Sequence, residues 1–311
     1  MTSDLLKEGS FLKLKDQYLV DKFLIAGGFS DVYTGIRVKD SKKVIIKVLR
    51  NIDFDDHIQA ENYWRRECAF IDIGSFFSPL TMKLLDSMAD KRNFDHFKFI
   101  LVTNFIEGPE FGIWYEKWIK NAPSGIEQIT FLLNFVFIPL CEHLQFCSNH
   151  GLIHRDFSTT NFIMSTNKDN GLVYPVIIDW GAGRNFDPAT LYDNPPYIEE
   201  MEGIGTQIYT PGFSSPEVME GKPPVPQTDI YNFGSIMYFA FSGGKYRKND
   251  ILTTDYILNP REEVEDCPKL IANIVKRCTQ YQPRDRYITF NELLEDLNEV
   301  YEQLSEETTS F

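Results

Sequence analysis

Residues 154–161 read His-Arg-Asp-Phe-Ser-Thr-Thr-Asn, and eighteen residues after Asn161 the apolar run Val176-Ile177-Ile178 has led into Asp179-Trp180-Gly181. Moving a phosphoryl group asks for groups of this kind. One carboxylate must orient the attacking hydroxyl and accept its proton. Hard oxygen ligands must hold Mg2+ against the phosphate charge and leave positions for phosphate and water. Asp156 suits the first task. Asn161 and Asp179 suit the second, with Asp179 projected from the end of a strand. Singly, the three would be a turn Asp, a cap Asn and a strand-end Asp; as an ordered set they point to magnesium-assisted phosphotransfer.

The first half of the chain carries residues for the same task. Ala26-Gly27-Gly28-Phe29-Ser30 lies between two predicted strands, 18–25 and 32–38. Glycine lets backbone approach phosphate oxygens closely, although Gly-Gly is also a common hairpin turn. Lys47 sits in a third predicted strand, 43–49, with Ile45 and Val48 beside it. A Lys among apolar neighbours needs an anionic partner. Glu67, twenty residues later on a predicted helix over 56–73, would fix it against the α- and β-phosphates. Glu61 is the rival partner. Glu67 is preferred because Ile71, one turn on, faces the same way and can pack inward.

Around these residues the first half reads as strands, including 98–106, and the second half mostly as helices. Long apolar helices are predicted over 126–148 and 228–242. Pro139 inside the first of them should kink it or mark its start. A terminal helix is predicted over 288–305, with Thr289 as its cap and a frayed tail beyond. Phe111, Trp114, Tyr115 and Trp118 recur at helical spacing and read as helix core.

At 311 residues, 43% hydrophobic and 24% charged, the chain is long enough for two lobes. The net charge of −14 argues against nucleic acid and anionic membrane as partners. Asn134, Pro139, Glu142 and His143 interrupt the most apolar stretch, so a buried helix is expected rather than a membrane span. The opening residues carry no secretory signal. The five cysteines form no CxxC pair and read as reduced thiols of a cytoplasmic chain.

The ordered set resembles the eukaryotic-type protein kinases, over about residues 18–304. The Gly-rich loop is matched at Gly27, which with the neighbouring Gly28 would line the nucleotide, the valine after it at Val32, the strand lysine at Lys47 and the helix glutamate at Glu67. The catalytic loop is matched by 154–161, and the metal-binding Asp-Phe-Gly by Asp179-Trp180-Gly181. Ser215-Pro216-Glu217 is similar to the family's Ala-Pro-Glu, Asp229 to the Asp of the next helix, and Arg286 to the arginine that pairs with that glutamate. The resemblance implies an α+β, bilobal protein-kinase fold. Its small antiparallel β N-lobe with one main helix would span 18–106, and its larger helical C-lobe 107–304. Residues 1–17 would be an N-terminal extension and 305–311 a tail. The resemblance further implies ATP with Mg2+ (Mn2+ as the alternative ion) as cofactors, and an unidentified protein as substrate. It makes Thr103 the gatekeeper and Asn104 to Ile106 the hinge that bonds adenine, with Val32 and Ile163 sandwiching the base.

The sequence departs from the pattern at four places. Ile25 and Ser30 replace the first and third loop glycines. Ile45 replaces a small residue facing the adenine site. Ser158 stands where Ser/Thr kinases have Lys, and Thr160 supplies no Arg, so the γ-phosphate has no evident cation unless Arg184 serves. The segment 179–217 would be the activation segment. Arg155 implies control by a phosphate at Thr190, Tyr192, Tyr197, Thr206, Tyr209 or Thr210, or a carboxylate from Glu199, Glu200 or Glu202 in its place. Thr210 is similar to the threonine of the substrate-binding loop, which favours a Ser/Thr acceptor. Three functions follow: an active Ser/Thr protein kinase, a pseudokinase serving as nucleotide-binding switch or scaffold, or a small-molecule phosphotransferase.

Overall fold

The structure, a computed structural model, describes residues 6–50, 54, 56–90, 98–186, 210–247 and 257–309. The chain divides into two compact units, with the break between Ile106 and Glu107.

The first unit is an antiparallel sheet of six strands: β1 (Phe11–Lys13), β2 (Gln17–Ala26), β3 (Ser30–Arg37), β4 (Lys42–Leu49), β5 (Leu84–Asp90) and β6 (Lys98–Asn104). Their order across the sheet is β1-β2-β3-β4-β6-β5. Alternation sorts the side chains by face. Tyr18, Val20, Tyr33, Val44, Ile46, Val48, Ile100 and Val102 form the core of one face, capped by Leu6. The registers Val32↔Lys47↔Leu101 and Thr34↔Ile45↔Thr103 put those residues on the other face. The unit's helix, α1 (His57–Phe77), opens at Asp56, whose carboxylate accepts from the Gln59 amide at 2.8 Å. The Trp64 indole ties it to the sheet through Ile100 O.

The described part of the N-terminal extension, from Leu6, belongs to this sheet. β1 pairs with β2, and the Leu6 amide donates to the Tyr33 hydroxyl.

The second unit is helical, with α2 (Phe111–Trp118), α3 (Ile126–Leu132), α4 (Ile138–Asn149), α5 (Pro216–Met219), α6 (Pro226–Phe241), α7 (Lys269–Cys278) and α8 (Phe290–Thr309). Two small antiparallel ladders join them: β7 (Leu152–Ile153) with β10 (Arg184–Asn185), and β8 (Phe162–Thr166) with β9 (Val173–Ile177). Every residue of α6 is buried, as befits a core helix apolar on all sides. Phe111 and Tyr115 are buried on α2, and the Tyr115 hydroxyl bonds Ala240 O of α6 at 2.5 Å.

The long helix expected over 126–148 is three pieces. A π-helical turn, Leu133–Phe137, separates α3 from α4. Pro139 then falls in the first turn of α4, where its missing N–H costs least. Among the described residues this Ile126–Asn149 segment is the one helix long and apolar enough to cross a bilayer, and it buries Leu132, Leu133, Val136, Phe137, Leu140 and Leu144. α8 starts at Phe290, after Thr289, whose hydroxyl accepts from the Glu292 amide. It continues past the expected end at 305 to Thr309, so the tail is helical there rather than frayed. All five cysteines are free and buried.

Candidate active site

In the first unit, Lys47 Nζ lies 2.6 Å from Glu67 Oε1. The Lys side chain is 11% exposed and that of Glu67 fully buried, so each charge compensates the other. Glu61 is taken by Arg65, at 2.6 Å one turn away on α1. Ile71 is buried one turn beyond Glu67. Lys47 shares its sheet face with Val32, Ile45 and Thr103, all candidates for a nucleotide's apolar contacts. Thr103 is buried. Asn104 ends β6 with its side chain turned to Lys83, whose amide it accepts at 2.6 Å; β6 stops there, short of the expected 106. Ile106 is half-buried at the end of this unit.

The second unit assembles the acidic groups. Asp229, in the first turn of α6, accepts the His154 amide at 2.6 Å and the Arg155 amide at 2.7 Å. This grip holds a loop in which Arg155 adopts φ +71°, a conformation L-residues seldom take. The Asp156 carboxylate is held at both oxygens. Thr210 Oγ1 donates to Oδ1 at 2.6 Å and Asn161 Nδ2 to Oδ2 at 3.3 Å. Asn161 Nδ2 also donates to Asp156 O at 2.6 Å. The Ile178 amide bonds Asn161 O, tying the loop to the strand end that carries Asp179. Asp179 Oδ1 accepts the Gly181 amide at 2.9 Å. Ile163, on β8, lies opposite Glu110.

Burial pushes the Asp156 carboxyl up to about 6, against the pull of the Thr210 hydroxyl, with the Asp179 charge adding to the rise and Asn161 and Arg155 opposing it. A carboxylate poised there can take a proton near neutral pH. Burial also raises Asp229, and the two backbone donors draw it back down.

Asn161 and Asp179 suit Mg2+. The Asn161 amide nitrogen is committed to Asp156, which fixes the orientation of its carbonyl oxygen, and a divalent ion bound beside a nucleotide needs only one or two protein oxygens. Among the described residues no cluster of three or more His, Cys, Asp or Glu offers a self-sufficient metal cage.

Ser158 is fully buried, and its hydroxyl meets that of Thr160 at 3.1 Å. Arg184, the cation considered in place of the missing Lys, gives its Nη1 to the Ala182 and Gly183 carbonyls. The phosphorylation candidates other than Thr210, and the Glu199–Glu202 run, lie outside the described residues.

Elsewhere in the second unit, Arg286 forms a bidentate pair with Glu217 at 2.9 and 2.8 Å. The Thr228 hydroxyl joins Glu217, and the guanidinium lies over the Tyr231 ring. Sequence reasoning missed Thr228, Tyr231 and Arg50, whose partners no motif in the sequence marked.

The protein kinase domain model matches residues 18–297. The chain belongs to the protein kinase family. Among curated relatives, serine/threonine-protein kinase PknD of Protochlamydia amoebophila is 23% identical over 94% of this chain and 30% of its own length. Serine/threonine-protein kinase PknA of a Nostoc species is 24% identical over 91% of this kinase-family chain and 47% of its own. The chain thus spans less than half of either relative. The PknI kinase domain of Mycobacterium tuberculosis has the same fold, with a TM-score of 0.63 at 16% identity over 94% of this chain and 99% of that one.

Proposed function

We propose that this chain transfers the γ-phosphate of ATP to a Ser or Thr hydroxyl of a protein. The observation that carries this reading is the Asp156 carboxylate, held from one side by Asn161 and from the other by Thr210. A base so oriented accepts the proton of an incoming hydroxyl while its own rotamer stays fixed. Thr210 lies before the segment that precedes Ser215-Pro216-Glu217, and its contact with Asp156 ties the base to the stretch expected to receive the substrate. Lys47, steadied by Glu67, would bind the α- and β-phosphates. Asn161 and Asp179 would hold Mg2+, which when bound supplies charge neutralisation at the triphosphate. The names of the PknD and PknA relatives support the Ser/Thr assignment.

Ser158 favours a second reading, a nucleotide-binding switch with little or no transfer. It places a neutral hydroxyl where a cation would offset charge on the transferred group. A transfer assay with radiolabelled ATP and Ser/Thr-rich protein substrates, beside Asp156→Asn, separates the two. Label incorporated by the wild type alone supports the kinase. Nucleotide binding without label supports the switch.

A further inference from the structure

Arg50 follows β4, three residues after Lys47, and reaches across to the Gly-rich turn. A single nitrogen, Nη2, donates to two successive carbonyls, Gly27 O at 2.9 Å and Gly28 O at 2.6 Å. The main-chain amide of Arg50 donates to the next carbonyl, Phe29 O, at 3.0 Å. Nη1 lies 3.4 Å from Asp31 Oδ1. One residue therefore takes three consecutive carbonyls of the turn and pairs with the acid beyond it. The turn is fastened at a second point. The buried Phe29 ring packs on Phe54 and on Tyr63 of α1, with centroids 5.7 and 5.3 Å apart. The Gly27 amide closes the turn on Ser30 O at 2.7 Å.

Peptide geometry gives this clamp a consequence. In a planar trans peptide the C=O and the following N–H point in opposite directions. With Gly27 O and Gly28 O both drawn to Arg50, the amides of Gly28 and Phe29 face away from the guanidinium. Two adjacent amides on one side make a receptor for an anion. The cation on the carbonyls also polarises both peptides and strengthens their N–H groups as donors. This fixing matters in a loop where Ile25 and Ser30 stand in place of two glycines.

We propose that Arg50 is a positioning residue for the nucleotide phosphates: it holds the turn in its anion-receiving form without touching phosphate itself. This rests on the ATP reading given above. A loop already ordered loses less freedom when phosphate arrives, so binding is tighter.

The test compares calorimetric binding of two probes, a non-hydrolysable Mg-ATP analogue and adenosine, to the full chain as wild type, Arg50→Met and Arg50→Lys. Met keeps the aliphatic stem without the donors; Lys can reach one carbonyl but not a fork of contacts. The expected result is an analogue Kd raised about tenfold in Arg50→Met and less in Arg50→Lys, with adenosine affinity unchanged in both. Melting temperatures verify folding, and if Arg50→Met fails to fold, Arg50→Lys carries the same comparison. Equal weakening of both probes would mean a general structural role and overturn the assignment. An unchanged analogue Kd would overturn it while leaving the ATP reading standing. A folded wild type that binds no analogue would overturn the ATP reading and Arg50's role with it.

Discussion

Arg286 closes both terminal nitrogens on the two oxygens of Glu217, sixty-nine residues away in the chain and almost wholly out of water. Each charge is there only because the other is. Arg286→Ala leaves a buried carboxylate unpaired and is expected to cost about 3–5 kcal/mol. Lys cannot reproduce the fork and should cost most of that. Chemical denaturation of the variants beside wild type checks this; an effect below about 1 kcal/mol would contradict it.

Lys47 and Glu67 form the corresponding pair in the first unit, but their expected signature is catalytic. Glu67→Gln keeps the shape and removes the charge that holds the ammonium. Phosphotransfer should fall at least about tenfold while the chain still melts cooperatively, since second-point positioning commonly accounts for that much. Steady-state kinetics and a melt on the same preparation measure both.

Gly108 occupies φ +142°, and a Cβ there would stand 2.2 Å from Met164 O. That backbone is essentially closed to other residues, and the Met164 carbonyl is main chain that cannot swing aside. Gly108→Ala is expected to lower stability by about 2–4 kcal/mol, read by denaturant midpoint.

Two buried groups are shifted in opposite directions, and both effects set in as pH falls. The Asp156 carboxyl is pushed up to about 6, so the base form is lost as pH falls below that value; kcat/KM should drop about tenfold per pH unit there. Burial, aided by the neighbouring His154, pushes the His143 imidazole down to about 4. The unfolded chain binds that proton at an ordinary value near 6.5, so unfolding takes up protons between the two values. Stability should therefore be full above about 6.5 and fall as pH drops toward 4. His143→Leu should flatten this limb in melts across pH, and an unchanged slope would exclude His143 as its source.

Asp156, Asn161 and Asp179 stood out in the sequence because magnesium-assisted phosphotransfer would require such residue types in such an order, and the structure ties Asn161 to Asp156 and to the strand end that carries Asp179. Lys47 and Glu67 were legible because a Lys between apolar strand neighbours demands a counter-charge. Other features had no such signature. β5, with Asp86 and Asp90 in seven residues, is poor strand material, and its ladder with β6 makes it one. β1 is three residues long and is placed by pairing with β2 beside the buried Leu6. The π-helical turn at Leu133–Phe137 hides in an apolar run that also suits a plain helix. The hold of Arg50 on the Gly-rich turn was invisible because its partners are main-chain carbonyls, which side-chain sequence does not display.

Asp156, held by Asn161 and Thr210, is proposed as the base for phosphotransfer from ATP. Intact-mass analysis after incubation with Mg-ATP, wild type beside Asp156→Asn, tests it most directly. Mass gain in phosphate steps on wild type alone, mapping to Ser or Thr, is the outcome this account requires. Equal gain on both proteins would contradict it.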